Sequence, residues 1–471
     1  MPDPRSRGGG QGNRRRPNRR TPVDAARLAA FDVLGAVREQ GAYTNLVLPP
    51  MLRSREITGR DAAFTTELVS GTIRRRGTYD AVIAACVDRP LAKVDPAVLD
   101  ALRLGTHQLL AMRVPSHAAV GTTVDLVRNR IGHGPSGFAN AVLRRIDAHD
   151  LSGWVRRVAP DPVGDPVGFA SVSHSHPRWV VEEFARVLAS DSGLEAMLAA
   201  DNEAPKVTLV ARPGLSTVEE LVTAGGTAST MSPYAVTLES GDPAAVPAVA
   251  EGRAGVQDVG SQLVALALAS ADPDGADGRW LDMCAGPGGK SALLAALAGE
   301  RGAGVLASEL QFHRAQLVRR STRVVPAGLL GVIAADGTRP AWRAGSFDRV
   351  LLDAPCSGLG ALRRRPEARW RRSASDLDEL VPLQKRLLTA ALDAVRSGGV
   401  VGYATCSPVL AETADVVSAV LAERSDVHLE DAGPLFSAVP TPYDGPLPGT
   451  VQLWPHRHTT DAMFFALLRK T

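Results

Sequence analysis

Residues Arg279–Gly299 read RWLDMCAGPGGKSALLAALAG, and this stretch decides the fold class. An apolar run ends at Cys284, a glycine-rich loop follows, and a helical pattern opens at Ser291. Glycines there let backbone approach a ligand at the positively polarised end of the helix. Two phosphate-binding patterns are ruled out. A P-loop needs glycine five positions before Gly289, where Cys284 stands, and a dinucleotide fingerprint starting at Gly286 needs its third glycine at Ser291. What remains is a nucleoside cofactor without a phosphate chain.

Outward from this loop, the same texture repeats. GVLASE ends at Glu309, GVIAAD at Asp336, RVLLDAPC at Cys356, and VVGYATCS carries Cys406 and Ser407. Short apolar runs alternating with helical segments predict a parallel sheet covered by helices, a Rossmann-like α/β domain. In such sheets ligands sit beyond the carboxyl ends of the strands, so these acids and thiols should converge on one crevice. A single acid after a strand is usually a helix cap; five strand ends in succession carrying acid or thiol are harder to explain that way. S-adenosylmethionine suits the crevice. Its carboxylate and amino group can lie against Cys284, Ala285, Gly286, Pro287, Gly288, Gly289 and Lys290, its ribose diol needs an acceptor such as Glu309, and Asp336 is placed for the adenine amino group. Asp353 lies nearer the reacting centre.

The chain has 471 residues, a length that predicts about three domains. With 45% hydrophobic and 22% charged residues it is globular in composition. Residues 1–20 hold seven arginines among Gly, Asn and Pro and are read as a disordered basic arm. Residues 21–150 read as all-helical: Val98, Leu102, Gly105, Leu109 and Met112 recur at spacings of four and three. Residues 151–252 read as a Gly- and Pro-rich linker and a small α+β connector containing the strand-like KVTLVARP, and residues 253–471 as the catalytic domain. Four cysteines without paired spacing give neither a disulfide framework nor a zinc signature, so no metal is expected. The chain lacks an N-terminal apolar signal, and its apolar runs are too short for a bilayer; a cytoplasmic monomer is expected.

Cys86 sits in an apolar helical stretch and reads as a small core hydrophobe. Cys356 and Cys406 differ, since each ends an apolar strand beside a serine; a redox pair is conceivable but leaves the cofactor loop unexplained. LDMCAGPGGKS, LLDAPCSGLG and GYATCSP together resemble the motifs of RNA 5-methylcytosine methyltransferases of the NOL1/NOP2/Sun superfamily. VQDVGSQL from Val256 and DAMFFALLRK near the C-terminus also resemble family motifs, although Ala462 and Met463 stand where Gly and Phe are usual.

The implied chemistry is specific. Carbon 5 of cytosine is a poor nucleophile, so a thiolate must first add at carbon 6; the methylated ring then loses its carbon 5 proton and expels the thiol. The chemistry also asks for a hydrogen-bonding group against the ring's N3 and N4 edge, which Asp353 offers, and a position near Lys290 would lower the thiol; the resemblance implies that Cys406 attacks and Cys356 assists product release. After the DAPCSG loop, ALRRRPEARWRR suggests RNA phosphate contacts through Arg363, Arg364, Arg365, Arg369, Arg371 and Arg372, with Trp370 as a packing residue.

DAAFTTELVSGTIRRRGTYD and GFANAVLRRI resemble the NusB-like RNA-binding domain fused to the catalytic unit in the RsmB (Fmu/Sun) family. That implies a cytosine in 16S ribosomal RNA, met before subunit assembly. A transfer RNA enzyme and a silent RNA-binding assembly factor are the alternatives. His107 and His117 read as packing or surface residues.

Overall fold

The computed structural model describes residues 24–188 and 191–471; the arginine-rich arm lies outside them. Seven helices occupy Ala25–Glu39, Thr44–Ser54, Gly59–Arg74, Arg76–Ala85, Pro96–Leu110, Ser116–Arg130 and His133–Ile146. The fifth shows why this region folds as it does. Asp95 caps the Ala97 and Val98 amides and Pro96 takes the first helical position. Val98, Leu102 and Leu104 then bury in one core with Leu143, Val127 and Cys86. At Gly105 a Cβ would press on Leu143 and Thr123, so glycine sets how closely these helices cross. The helix ends at Leu110, yet Met112 still packs on that core.

The Gly- and Pro-rich start of the region expected to be linker and connector is mostly helical. Asp150 caps Leu151–Val158 through the Gly153 amide, and Asp165 with Pro166 starts Pro166–Ser173. Trp154 closes the core of the first domain and donates to Ile146 O at 2.8 Å. Capping chemistry overrode composition here. Helices Arg178–Val187 and Asp191–Ala200 follow, and then a small antiparallel sheet of β1 (Thr208–Ala211), β2 (Gly226–Ala228), β3 (Ala235–Leu238) and β4 (Ala254–Val256), in the order β2-β3-β1-β4. Its last strand lies beyond the expected boundary at residue 252, because β4 pairs with β1 rather than with the large sheet.

The large sheet comprises β5 (Arg279–Asp282), β6 (Gly304–Glu309), β7 (Leu329–Ala334), β8 (Phe347–Asp353), β9 (Val395–Thr405), β10 (Val427–Glu430), β11 (Val451–Gln452) and β12 (Phe464–Lys470). Its order is β10-β12-β9-β8-β5-β6-β7, with β11 paired to β12. The run from β9 to β7 is parallel, whereas β12 is antiparallel to both β9 and β10, so the sheet is mixed rather than purely parallel.

Side chains alternate across it as a pleat requires. Trp280, Leu351, Val400 and Phe465 pack beneath helices Val259–Ser270 and Gly289–Glu300. Leu281, Val350, Leu352, Tyr403 and Phe464 face helices Asp376–Ala394 and Ala414–Glu423. From β5 the chain winds outward through β6 to β7, then returns to β8 on the other side. A crevice therefore opens at the carboxyl ends of β5 and β8.

Candidate active site

The glycine loop connects β5 to helix Gly289–Glu300, and its glycines are structurally required. A Cβ on Gly286 would collide with Glu309 Oε2; Gly288 has φ +108 and sits against the Val318 backbone. Glu309, at the end of β6, accepts from the Gly286 amide at 3.0 Å and the Gln311 amide at 3.1 Å, and Arg314 lies 3.6 Å away. Its carboxylate holds the loop to the next strand, and each oxygen retains a lone pair for a ligand hydroxyl. Asp336 Oδ1 accepts from both the amide and the hydroxyl of Thr338, which holds its carboxyl below the ordinary value. Asp282 is buried, bonds Ser291 Oγ at 2.6 Å, and burial pushes its carboxyl up to about 7.

Lys290 and Asp353 meet at 2.9 Å across the crevice. Burial draws the Lys290 ammonium down, but Asp353 outweighs it and the net shift is upward. Beyond them the two thiols come together: Cys356 Sγ and Cys406 Sγ are 3.4 Å apart. They differ in acidity. The bond from Cys356 lowers Cys406 against the cost of burial and the nearby Asp353 carboxylate, helped by Lys290 and Arg365, while Cys356 is driven well up by the same bond and by burial. Burial likewise raises Cys284. Among the thiols of this crevice, Cys406 is the one shifted toward greater acidity.

Sequence reasoning missed Glu412. This buried carboxylate joins the segments carrying the two thiols through Ser357 and Ser407. Gly360 is a second omission: a Cβ there would strike Ala462 O and the Cys406 backbone, and its amide donates to Cys406 O at 2.8 Å. The adjacent seryl hydroxyls after both cysteines were the available signal, since two such groups buried together need an acceptor.

The arginine cluster requires correction. Arg369 is 0% exposed and donates to Ser175 O, Asp201 O and Asn202 Oδ1. Arg371 donates to Ala42 O, Trp370 Nε1 donates to Ile73 O at 3.0 Å, and Glu367 accepts from the Thr44 hydroxyl. Arg364 pairs with Asp258 and Asp461, Arg372 reaches Ser357 O and Asp376, and Arg363 is buried. Several acceptors are carbonyls at helix C-termini, which lack intrahelical partners and favour cations. The segment thus locks the helical domain to the catalytic loop. Of the six arginines, Arg365 alone is exposed. Cys86 is buried in the helical core, His107 is buried against Tyr79 Oη at 2.8 Å, and His117 is exposed. Among the described residues no group of His, Cys, Asp and Glu could hold a metal ion, and no helix is long and apolar enough to cross a membrane.

Fold and site together define a Rossmann-like methyltransferase carrying a NusB-like helical domain. A family model described as 16S rRNA methyltransferase RsmB/F matches residues 266–469, and one described as the NusB family matches residues 24–148. A Mycobacterium tuberculosis protein named as a methyltransferase is 53% identical over 470 residues, 99% of each chain. Ribosomal RNA small subunit methyltransferase B of Pseudomonas syringae pv. tomato is 35% identical over 418 residues, 86% of this chain and 89% of that one. The chain belongs to the RsmB family. The solved structure of PH0851 has a similar fold, with TM-score 0.77 and 22% identity over 94% of this chain and 97% of that one. NSun6 from Pyrococcus horikoshii, solved with SFG, has TM-score 0.53 and 17% identity over 62% of this chain and 98% of that one.

Proposed function

We propose that this protein methylates carbon 5 of a cytosine in 16S ribosomal RNA, using S-adenosylmethionine and Cys406 as nucleophile. The observation that carries the reading is the thiol pair, 3.4 Å apart with Cys406 lowered and Cys356 raised, beside the Lys290–Asp353 bridge. One thiolate with a protonated thiol in contact is what an addition and elimination sequence at a pyrimidine ring needs.

The residues present fit the cofactor. Asp282 Oδ1, Ser308 Oγ and Gln257 Oε1 are buried without a protein partner around a loop whose glycines leave room for a ligand. Glu309 would take the ribose diol, Asp336 the adenine amino group, and residues 284–290 the amino acid end. A related fold, NSun6, carries SFG, an analogue of S-adenosylmethionine. When bound, S-adenosylmethionine supplies an electrophilic sulfonium methyl to carbon 5.

The chain's own groups do the rest. Cys406 thiolate forms the bond to carbon 6 as the carbon 5–carbon 6 double bond opens toward carbon 5, and Asp353, its Oδ2 fixed by Lys290, presents Oδ1 to accept from the N4 amino group. Cys356 assists release: the carbon 5 proton leaves to a base, the ring double bond re-forms, and the carbon 6 to sulfur bond breaks. The names of the RsmB relatives point to small-subunit RNA as substrate, and the NusB-like domain supports RNA binding. We place the reaction in the cytoplasm, by a monomer, on RNA not yet assembled into the subunit.

Incubation of the pure protein with labelled S-adenosylmethionine and unmodified 16S or transfer RNA, followed by bisulfite sequencing, tests the reading. Label at a 16S cytosine is expected. Label confined to transfer RNA would overturn the substrate, and no label in either would leave a binding factor.

A further inference from the structure

Glu412 ends the short helix Leu410–Glu412 that follows the TCS segment, and it is 0% exposed. Its carboxylate is the junction of the two thiol segments. Oε1 accepts from the Ser357 amide at 2.7 Å and from Gln384 Nε2 at 3.1 Å. Oε2 accepts from the Ser357 hydroxyl at 2.5 Å and the Ser407 hydroxyl at 2.6 Å. The two hydroxyls lie 3.1 Å apart, and each serine directly follows one of the thiols. All four partners are donors, the pattern of an acceptor-only group. The Glu412 carbonyl also accepts from Tyr403 Oη at 2.7 Å, tying the helix back to β9.

We propose that Glu412 is a positioning residue that makes the two thiols unequal: it registers the Cys356 and Cys406 segments and sets Cys356 as the hydrogen donor to Cys406. The inference rests on the reading above that Cys406 is the attacking group. The carboxylate acts differently on the two sulfurs. Its charge bears on Cys356 and not on Cys406, adding to the bond with Cys406, to burial and to Asp353 in pushing that thiol up, whereas Cys406, lowered first by the bond from Cys356, is raised by burial and Asp353 but lowered by Lys290 and Arg365. Moving the anion to Cys356 would set it beside a buried carboxylate, where repulsion is weakly screened. The serines supply the mechanical half of the device. Through them one carboxylate holds the end of the β8 loop and the end of β9 at a fixed separation, so that the sulfurs stay in contact.

The test uses the full chain without RNA or methyl donor. Alkylation by iodoacetamide is followed separately at Cys406 and Cys356 by peptide mass spectrometry, from about pH 6 to about pH 9, a range that brackets an ordinary thiol. In the wild type Cys406 reacts faster, with its half-point below that of a free cysteine. In Glu412→Gln the ratio of the two rates falls about tenfold, and the Cys406 half-point moves up by about one pH unit. A folded Glu412→Gln with the wild-type ratio and half-point overturns the proposal. Ser407→Ala removes one donor without touching the charge and covers the case in which Glu412→Gln does not fold. There the ratio falls about fivefold, given a net worth of about 1 kcal/mol for a buried hydrogen bond; an unchanged ratio again overturns the proposal. Failure of the catalytic reading shows separately, as undiminished methyl transfer in Cys406→Ala.

Discussion

Lys290 Nζ donates to Asp353 Oδ2 at 2.9 Å, joining the first turn after the glycine loop to the carboxyl end of β8. The pair lies where cofactor and target base would meet. It places a cation, kept charged by Asp353, close enough to bear on Cys406. Two strand ends, a helix start and a thiol are thereby coupled through one contact.

Replacing Lys290 with Met should move the activity profile toward alkaline pH. Lysine lowers Cys406, so without it the thiolate forms at higher pH, and the acidic limb of kcat/KM shifts upward. At neutral pH the rate should fall by about ten- to a hundredfold and recover in part as pH rises. A pH series with saturating methyl donor checks this; an acidic limb that stays in place would show that Lys290 does not act on the nucleophile.

Cys406→Ala should abolish methyl transfer, whereas Cys356→Ala should accumulate a covalent protein–RNA adduct. The first loses the attacking group and the second the thiol that assists release. Denaturing gels with labelled 16S RNA distinguish them. An adduct in Cys406→Ala would reverse the two roles.

The strand ends were legible because each couples an apolar run to an acid or a thiol, and β5, β6, β8 and β9 carry them as the pattern implies. β12 was not. FFALLRK is apolar enough for any buried strand, and only pairing with β9 and β10 makes it antiparallel. Glu412 reads as an ordinary polar residue six positions after Cys406. Its role depends on Ser357, 55 residues away in the chain. The arginines misled for a related reason. Basic residues around a tryptophan look the same whether phosphates or helix C-terminal carbonyls meet them, and domain docking decides which.

Arg365 and Arg369 should therefore behave in opposite ways. Arg365→Ala should weaken RNA binding and reduce the slope of log affinity against log salt by about one, the signature of a lost phosphate contact. Arg369→Met should leave that slope unchanged and destabilise the fold by about 3 kcal/mol or more, because the Arg74 carbonyl of the helical domain and the Ser175, Asp201 and Asn202 acceptors of the connector lose their donor. Filter binding at several salt concentrations and thermal melts separate the two. A reduced salt slope in Arg369→Met would return that residue to the RNA surface.

Asp201 should make the domain junction sensitive to pH. It is 0% exposed, follows helix Asp191–Ala200, and lies 3.4 Å from His176 Nε2. Burial raises its carboxyl to about 7, against the opposing pull of Arg369 and Arg363. The unfolded value is about 3.9, so between the two the folded state binds the extra proton. Stability from this group is complete below about pH 4 and lost as pH rises through about 7. Asp201→Asn fixes the neutral form, and its stability relative to wild type should therefore increase with pH across that window. The gain should be on the order of 2 to 4 kcal/mol. Denaturant melts of both proteins at pH values on either side of the window measure it. A difference that stays constant with pH would mean that Asp201 is ionised in the folded protein throughout, with Arg369 rather than a proton neutralising it.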